Sequence, residues 1–283
     1  MFATQFAVRI RNLESSVRLI SNYAIDNQKL ENTFKSLFSL IEIKEPQGHD
    51  LIRVGSKDDG GYILADDFNP NQLAISLGVG RNVDAEYFLA ELGIKVIMFD
   101  GTIEKLPRQH KNFVFTAKNV CGKSEEVRSQ DNLVEINRIF ADVEDLLKSK
   151  TFESKQLELR PQLMLLIDIE GSEYEAILDI DEKYLVKCLQ ITVEFHNVFS
   201  ELNNENSRLT DCIKKLKKTH EIISVHGNNY GGSIQSGAKD YPDVIEISLL
   251  NKTSYEFTKG TNTFNHPLSM PNNNRMRDLR HIW

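Results

Sequence analysis

The sequence has no apolar run near the roughly 20 residues that a membrane-crossing helix needs, so no membrane span is expected. It has little cysteine: Cys121, Cys188 and Cys212 lie far apart among 283 residues. No CxxC or CxxH spacing occurs, which argues against a zinc knuckle or a disulfide framework. Buried free thiols are the expected state. Basic residues are in the minority, with 34 Lys and Arg against 41 Asp and Glu and a formal net charge of -7. Backbone phosphates are held by basic surface, so nucleic acid is not expected as the main partner. The N-terminus shows no charged segment followed by a long apolar stretch, so no secretory signal is read and a cytoplasmic location is expected.

What the chain does have is a regular succession of apolar runs, and its length allows one large α/β domain with additions. Residues 1–48 read as an N-terminal helical extension, with Val8, Ile10, Leu13, Val17 and Ile20 and then Leu30, Phe34, Leu37, Phe38 and Ile41 at helical spacing. Such helices either cap the core or form a homodimer surface. Residues 51–64 hold two β-prone runs around the polar, glycine-rich turn Lys57-Asp58-Asp59-Gly60-Gly61, as in a hairpin. Seven short strands then follow, near residues 74–77, 95–99, 113–116, 163–167, 190–195, 221–225 and 244–249, with helices between most of them. The last two lack an intervening helix, which suits an antiparallel pair at a sheet edge. The expected architecture over residues 49–260 is a doubly wound, mostly parallel seven-stranded sheet of Rossmann-like type. Residues 261–283 are rich in Asn and carry Pro and Arg, and read as an irregular tail.

Ligands of such sheets sit beyond the carboxyl ends of the strands. The first strand is followed by Gly78-Val79-Gly80, where backbone can approach a ligand. A plain tight turn is the competing explanation. The second is followed by Asp100, 22 positions beyond Gly78, where a carboxylate can accept ribose hydroxyls. The third glycine of a dinucleotide fingerprint is absent, since position 83 is Val83. This turns the reading from NAD toward S-adenosylmethionine. The fourth strand leads into Asp168-Ile169-Glu170-Gly171-Ser172-Glu173, and the fifth into Glu194-Phe195-His196-Asn197. By strand alternation Asp168 and Glu170 share a face, as do Glu194 and His196. Asp168, Glu194 and His196 are expected to converge. There His196 acts as a general base, or all three hold Mg²⁺ or Mn²⁺. A hydrogen-bonded buried polar cluster is the plain alternative. The sixth strand leads into His226-Gly227-Asn228-Asn229, which either contacts acceptor hydroxyls or is a Gly/Asn turn. Charge alone suggests Arg81 and the Arg-bearing tail for a phosphorylated or nucleotide-linked acceptor.

At these residues the chain resembles the FkbM-like methyltransferases. The resemblance is carried by Ser76-Leu77-Gly78-Val79-Gly80, by Phe99-Asp100-Gly101, by Glu194-Phe195-His196, by Pro242-Asp243-Val244-Ile245-Glu246-Ile247, and above all by Leu166-Ile167-Asp168-Ile169-Glu170-Gly171-Ser172-Glu173-Tyr174. It spans about residues 51–250. It implies a class I methyltransferase fold and S-adenosylmethionine-dependent O-methylation of a sugar or another polyhydroxylated metabolite, often in bacterial surface-glycan tailoring such as capsular polysaccharide. It implies cofactor contacts from Gly78, Gly80 and Asp100, with Asn119 beside the adenine and Gly61 in a hairpin over the methionine end. Asp168 joins this set at the reacting end. Glu170, Asn197, His226, Asn228 and Arg81 are the expected acceptor contacts. A wider analogy with catechol-type methyltransferases places metal ligands at Asp168, Glu194 and His196, although the ligand types differ. An NAD-dependent oxidoreductase and a non-catalytic nucleoside-binding scaffold are the competing readings.

Overall fold

Five-residue runs such as Leu73–Leu77 and Leu163–Ile167 are buried at every position. Strands of that kind need cover on both faces. In the computed structural model they lie at the centre of a seven-stranded sheet. The structure describes residues 27–123, 132–150, 162–204, 206–236, 238–260, 264 and 266–279. The helical periodicity expected over Val8–Ile20 lies outside the described residues, as does Arg280.

The core strands are β1 (Leu73–Leu77), β2 (Lys95–Phe99), β3 (Phe113–Thr116), β4 (Leu163–Ile167), β5 (Cys188–Phe195), β6 (His220–Gly227) and β7 (Ile245–Asn251). Their spatial order is β6-β7-β5-β4-β1-β2-β3. Pairs β5–β4, β4–β1, β1–β2 and β2–β3 are parallel. Strand β7 runs antiparallel to both β5 and β6. The antiparallel pair expected at the edge is present, but β7 lies inside the sheet and β6 forms the edge. Hydrophobic period shows that a run is a strand; it does not state which neighbour the strand takes. The order reverses between β1 and β4, and the switch-point crevice opens there.

Helices are α1 (Asn27–Leu40), α2 (Asp84–Glu91), α3 (Ile136–Lys150), α4 (Glu173–Asp179), α5 (Glu182–Leu185), α6 (Val198–Leu202) and α7 (Arg208–Leu216). On one face Ile75, Leu165, Ile191 and Val193 form a core with Phe34 and Leu37 of α1, Phe140 of α3, Ile177 of α4 and Ile213 of α7. On the other face Ala74, Met98, Met164 and Leu166 meet Leu89 of α2 and Val54 and Leu64 of the hairpin Leu51–Gly55/Gly61–Ala65. Winding is therefore uneven, and the hairpin takes much of the place that helices fill in an evenly doubly wound sheet. Toward β5, β7 and β6 this second face becomes polar, with Gln190, Thr192, Glu194, Ser224, His226, Glu246 and Ser248 all buried. Helix α1 packs on the core through Phe34, which contacts Phe199 and Tyr241. At least this part of the N-terminal extension caps the domain. No helix among the described residues is long and apolar enough to cross a membrane. The three cysteines are free, and Cys188 and Cys212 are buried, with burial raising both thiol pKa values.

Candidate functional site

The crevice at the switch point is a cleft of about 520 Å³, within the range of small-molecule sites. Its walls include Gly80, Arg81, Asp100 and Asn119 on the side of β1, β2 and β3, Asp168, Ile169 and Glu170 beyond β4 with Gly78 against them, and Asp59 and Tyr62 from the hairpin. Gly78 has φ +77°, and a Cβ there would stand 1.7 Å from the carbonyl oxygen of Asp168. Its amide donates to Phe99 O at 2.8 Å, while Asp168 N donates to Leu77 O at 2.8 Å. Glycine is thus required where the ends of β2, β1 and β4 crowd together. Gly80, at φ +49°, has open space where a Cβ would be, so its backbone is accessible from the cleft.

Asp100 is where expected but already engaged. Its Oδ2 accepts from Val79 N (3.0 Å) and Gly80 N (2.7 Å), and its Oδ1 from Thr102 N (2.7 Å) and Thr102 Oγ1 (2.6 Å). The carboxylate therefore staples the glycine loop to the end of β2. Asn119 accepts from Gly101 N at 3.1 Å through Oδ1. Gly61 does not line the cleft. A Cβ there would strike Ser56 O at 2.1 Å, and it is the neighbours Gly60 and Tyr62 that face the cleft. Glu86 of α2, which sequence reasoning passed over, lies in the cleft wall and accepts from Ser76 Oγ at 2.6 Å. Burial raises its pKa against the lowering effect of that hydrogen bond.

At the carboxyl ends of β4 and β5 the expected convergence on His196 is present. Its Nε2 lies 3.3 Å from Glu194 Oε1, 3.6 Å from Glu170 Oε2 and 3.7 Å from Asp168 Oδ1. Its Nδ1 lies 3.4 Å from Glu173 Oε1. The convergence does not come from strand alternation beyond β4, because that strand ends at Ile167. Glu170 instead adopts φ +53°, and Asn197, past the end of β5, adopts φ +57°. Two non-glycine residues in the left-handed region at adjoining strand ends mark backbone held in place by its surroundings. Asn197 is exposed, with its Nδ2 3.4 Å from where a Cβ on Gly171 would stand.

Glu173, the first residue of α4, was not among the expected site residues. It is fully buried. Its Oε1 accepts from His196 N and its Oε2 from Gly171 N, both at 2.7 Å. Tyr174 adds a hydroxyl bond to His196 O at 2.5 Å. Burial works against a charged His196, but the Glu173 and Glu194 carboxylates outweigh it and raise the imidazole pKa well above its ordinary value. The same carboxylates that would draw a proton onto His196 are the groups it would have to share one with in acid–base chemistry. Burial and the Glu194 charge raise the Asp168 pKa well above the usual carboxylate range, opposed by His196. Asp168 Oδ1 is buried without a hydrogen bond. Asp168, Glu194 and His196 each offer a ligand atom within 4.8 Å of the others, so this trio fits a divalent ion once His196 gives up its proton.

His226, near the end of β6, and Asn228, just beyond it, do not line the cleft. His226 and Asn228 are 4% and 2% exposed. Asn228 Nδ2 donates to Glu194 Oε1 at 2.9 Å, and His226 Nε2 pairs with Asn272 Oδ1 at 3.0 Å. Their polar groups are taken by the protein itself, so here they position Glu194 and the tail and do not meet an acceptor. The described residues 266–279 form no helix or strand, yet they are built into the site. Asn272 is buried and its Nδ2 donates to Asp59 Oδ1 at 3.0 Å and to Glu246 Oε1. Asn273 and Asn229 exchange backbone and side-chain hydrogen bonds, and Arg277 pairs with Asp240. Arg277 is thus engaged away from the cleft, whereas Arg81 is exposed on its wall.

No protein-family model matches the sequence. No curated protein matches it. Among solved structures, one from Clostridium thermocellum, provisionally named an rRNA methylase, is similar over 65% of this chain and 88% of its own, with 11% identity and a TM-score of 0.28. So distant a likeness carries no argument about activity.

Proposed function

We propose that the chain is an S-adenosylmethionine-dependent O-methyltransferase acting on a hydroxyl of a sugar, sugar nucleotide or similar polyhydroxylated metabolite, as in surface-glycan tailoring. The observation that carries this reading is the single cleft joining Gly78, Gly80, Asp100 and Asn119 to Asp168 and Glu170 across the switch point. The glycine end suits a nucleoside: the backbone at Gly80 is open, and Asp100 and Asn119 stand beside it. The carboxylate end suits hydroxyl groups. The bound cofactor supplies an electrophilic methyl group on a sulfonium sulfur, so the protein has only to align an acceptor oxygen with it and take the proton away.

Asp168, which lines the cleft with its side chain about one-third exposed, is the group we assign as proton acceptor. His196 stands within 3.7 Å of Asp168, Glu170 and Glu194 and holds them around it. Glu173 fixes His196 through its backbone and is a positioning residue. Mg²⁺ or Mn²⁺ at Asp168, Glu194 and His196 would lower the pKa of an acceptor hydroxyl. With Asp59, Asp168, Glu170 and Glu194 at this end, the portion of the acceptor nearest the reacting oxygen is uncharged. A phosphate group, where present, belongs at the Arg81 end.

The test is calorimetric titration of the metal-stripped protein with S-adenosylhomocysteine, followed by turnover on a panel of sugars and sugar nucleotides. Saturable binding is expected. Asp168→Ala should abolish most turnover while the protein still binds S-adenosylhomocysteine. Binding of NAD in its place would establish the oxidoreductase reading, and binding of neither would leave a scaffold.

A further inference from the structure

Behind the cleft the polar face of β5 and β7 holds a second group of carboxylates. Glu194 and Glu246 are paired residues on antiparallel strands, so like charges stand directly opposite, which is unfavourable. Both are buried, at 5% and 7% exposure. Asp59 reaches them from the hairpin turn, and one oxygen from each of the three lies within 4.8 Å of the others. Among the described residues two cations act on them, Arg53 on Glu246 and His196 on Glu194, and both are shared with other groups. Arg53 spends its Nε on Ser56 O and its Nη2 on Asp58 O. His196 is shared among four carboxylates.

A further group is left over at the same place. Thr192 precedes Glu194 by two residues and so projects from the same face of β5. It is 1% exposed, and its hydroxyl has no hydrogen-bond partner. A buried hydroxyl without a partner, on the same sheet face as two buried carboxylates that stand opposite each other, is costly unless something joins them. Oxygens around a hard cation at about 2.3–2.6 Å stand up to about 5 Å apart, which the spacing here matches.

We propose that Asp59, Glu194 and Glu246 form a site for a hard divalent cation such as Mg²⁺, Ca²⁺ or Mn²⁺, separate from the Asp168 trio and sharing Glu194 with it. The donors are all oxygen, which selects that class of ion over zinc or copper. Turning the Asn272 carboxamide over would present its oxygen to the ion and its NH₂ to a neutral His226. The ion ties the hairpin turn, which walls the cleft, to the centre of the sheet. This site does not depend on the methyl-transfer reading.

The test is Mn²⁺ binding to the full chain, followed by calorimetry and by the electron paramagnetic resonance signal of the free ion. Asp59→Asn and Glu246→Gln should each weaken uptake by about tenfold or more, while His196→Gln retains it. Urea denaturation and far-UV circular dichroism report that each variant is folded, and Asp59, on the exposed turn, serves if Glu246→Gln does not fold. No uptake by the wild type at millimolar Mn²⁺, or a smaller change in both variants, overturns the site. Loss confined to His196→Gln assigns the ion to the Asp168 trio and overturns it equally. None of these readouts requires turnover, so a failure here is distinct from a failure of the methyltransferase reading.

Discussion

His220 at the start of β6 offers a quantitative check on the packing of the sheet edge. It is fully buried. Its Nε2 faces Cys188 O at 3.0 Å and its Nδ1 faces Thr219 Oγ1 at 2.7 Å. A carbonyl can only accept, so Nε2 carries the proton and Nδ1 accepts from the threonine hydroxyl. The ring is satisfied while neutral. Burial lowers its pKa from 6.5 to about 4; the bond to Cys188 O opposes this and the Lys252 charge adds to it. Between those values the unfolded chain binds the extra proton and the folded one does not, so stability is complete above about pH 6.5 and falls as the pH drops toward 4. Linkage gives a loss of about 2.5 kcal/mol between about pH 7.5 and about pH 4.5. Other carboxylates titrate in the same window, so the measurement is a difference. Urea denaturation followed by circular dichroism is run at both pH values on the wild type and on His220→Gln, which keeps one donor and one acceptor. The wild type should lose about 2.5 kcal/mol more than the variant. Equal losses would refute the neutral, doubly bonded histidine.

Gly78→Ala should destabilise the chain by about 2 kcal/mol or more and abolish S-adenosylhomocysteine binding, seen by thermal unfolding and calorimetry, because its Cβ would overlap Asp168 O. Glu173→Gln leaves one amide NH₂ facing a backbone N–H of either His196 or Gly171. It should cost about 1–3 kcal/mol in denaturation and lower kcat more than KM for the acceptor. Asn272→Ala removes the donor shared by Asp59 and Glu246. A loss of about 1–3 kcal/mol is expected, partly restored by added Mn²⁺ if the cation site exists. Arg81→Ala should weaken a phosphorylated acceptor and leave a neutral sugar unaffected, as read from the KM for each.

The strands were legible because each is a short apolar run closed by glycine or a polar cluster, and β1–β5 fall within two residues of expectation. The place of β7 was not, because pairing order is a property of three-dimensional neighbours. At the site, Asp168 and His196 could be found because polar residues directly after buried strands have few structural reasons to be there, and Glu194 because it is a carboxylate near the end of a buried strand. Glu173 was hidden by a good alternative explanation, the favourable negative charge in a first helical turn. Glu246 sits inside a strand whose alternation makes a polar residue unremarkable, and Asn272 lies in a stretch of asparagines that reads as loop. Their roles depend on which distant elements the hairpin and the tail cover, and local period carries no such information.

The insertion of β7 between β5 and β6 also has a consequence for synthesis. β7 ends at Asn251, so it is the last core strand to leave the ribosome. Until then β5, which carries Glu194, has an unpaired edge along its whole length, with Ile191, Val193 and Phe195 on one side of it. Such an edge is a template for pairing with another chain. The nascent protein therefore stays exposed to aggregation until β7 has emerged, and a stop codon before residue 245 would leave that edge open for good.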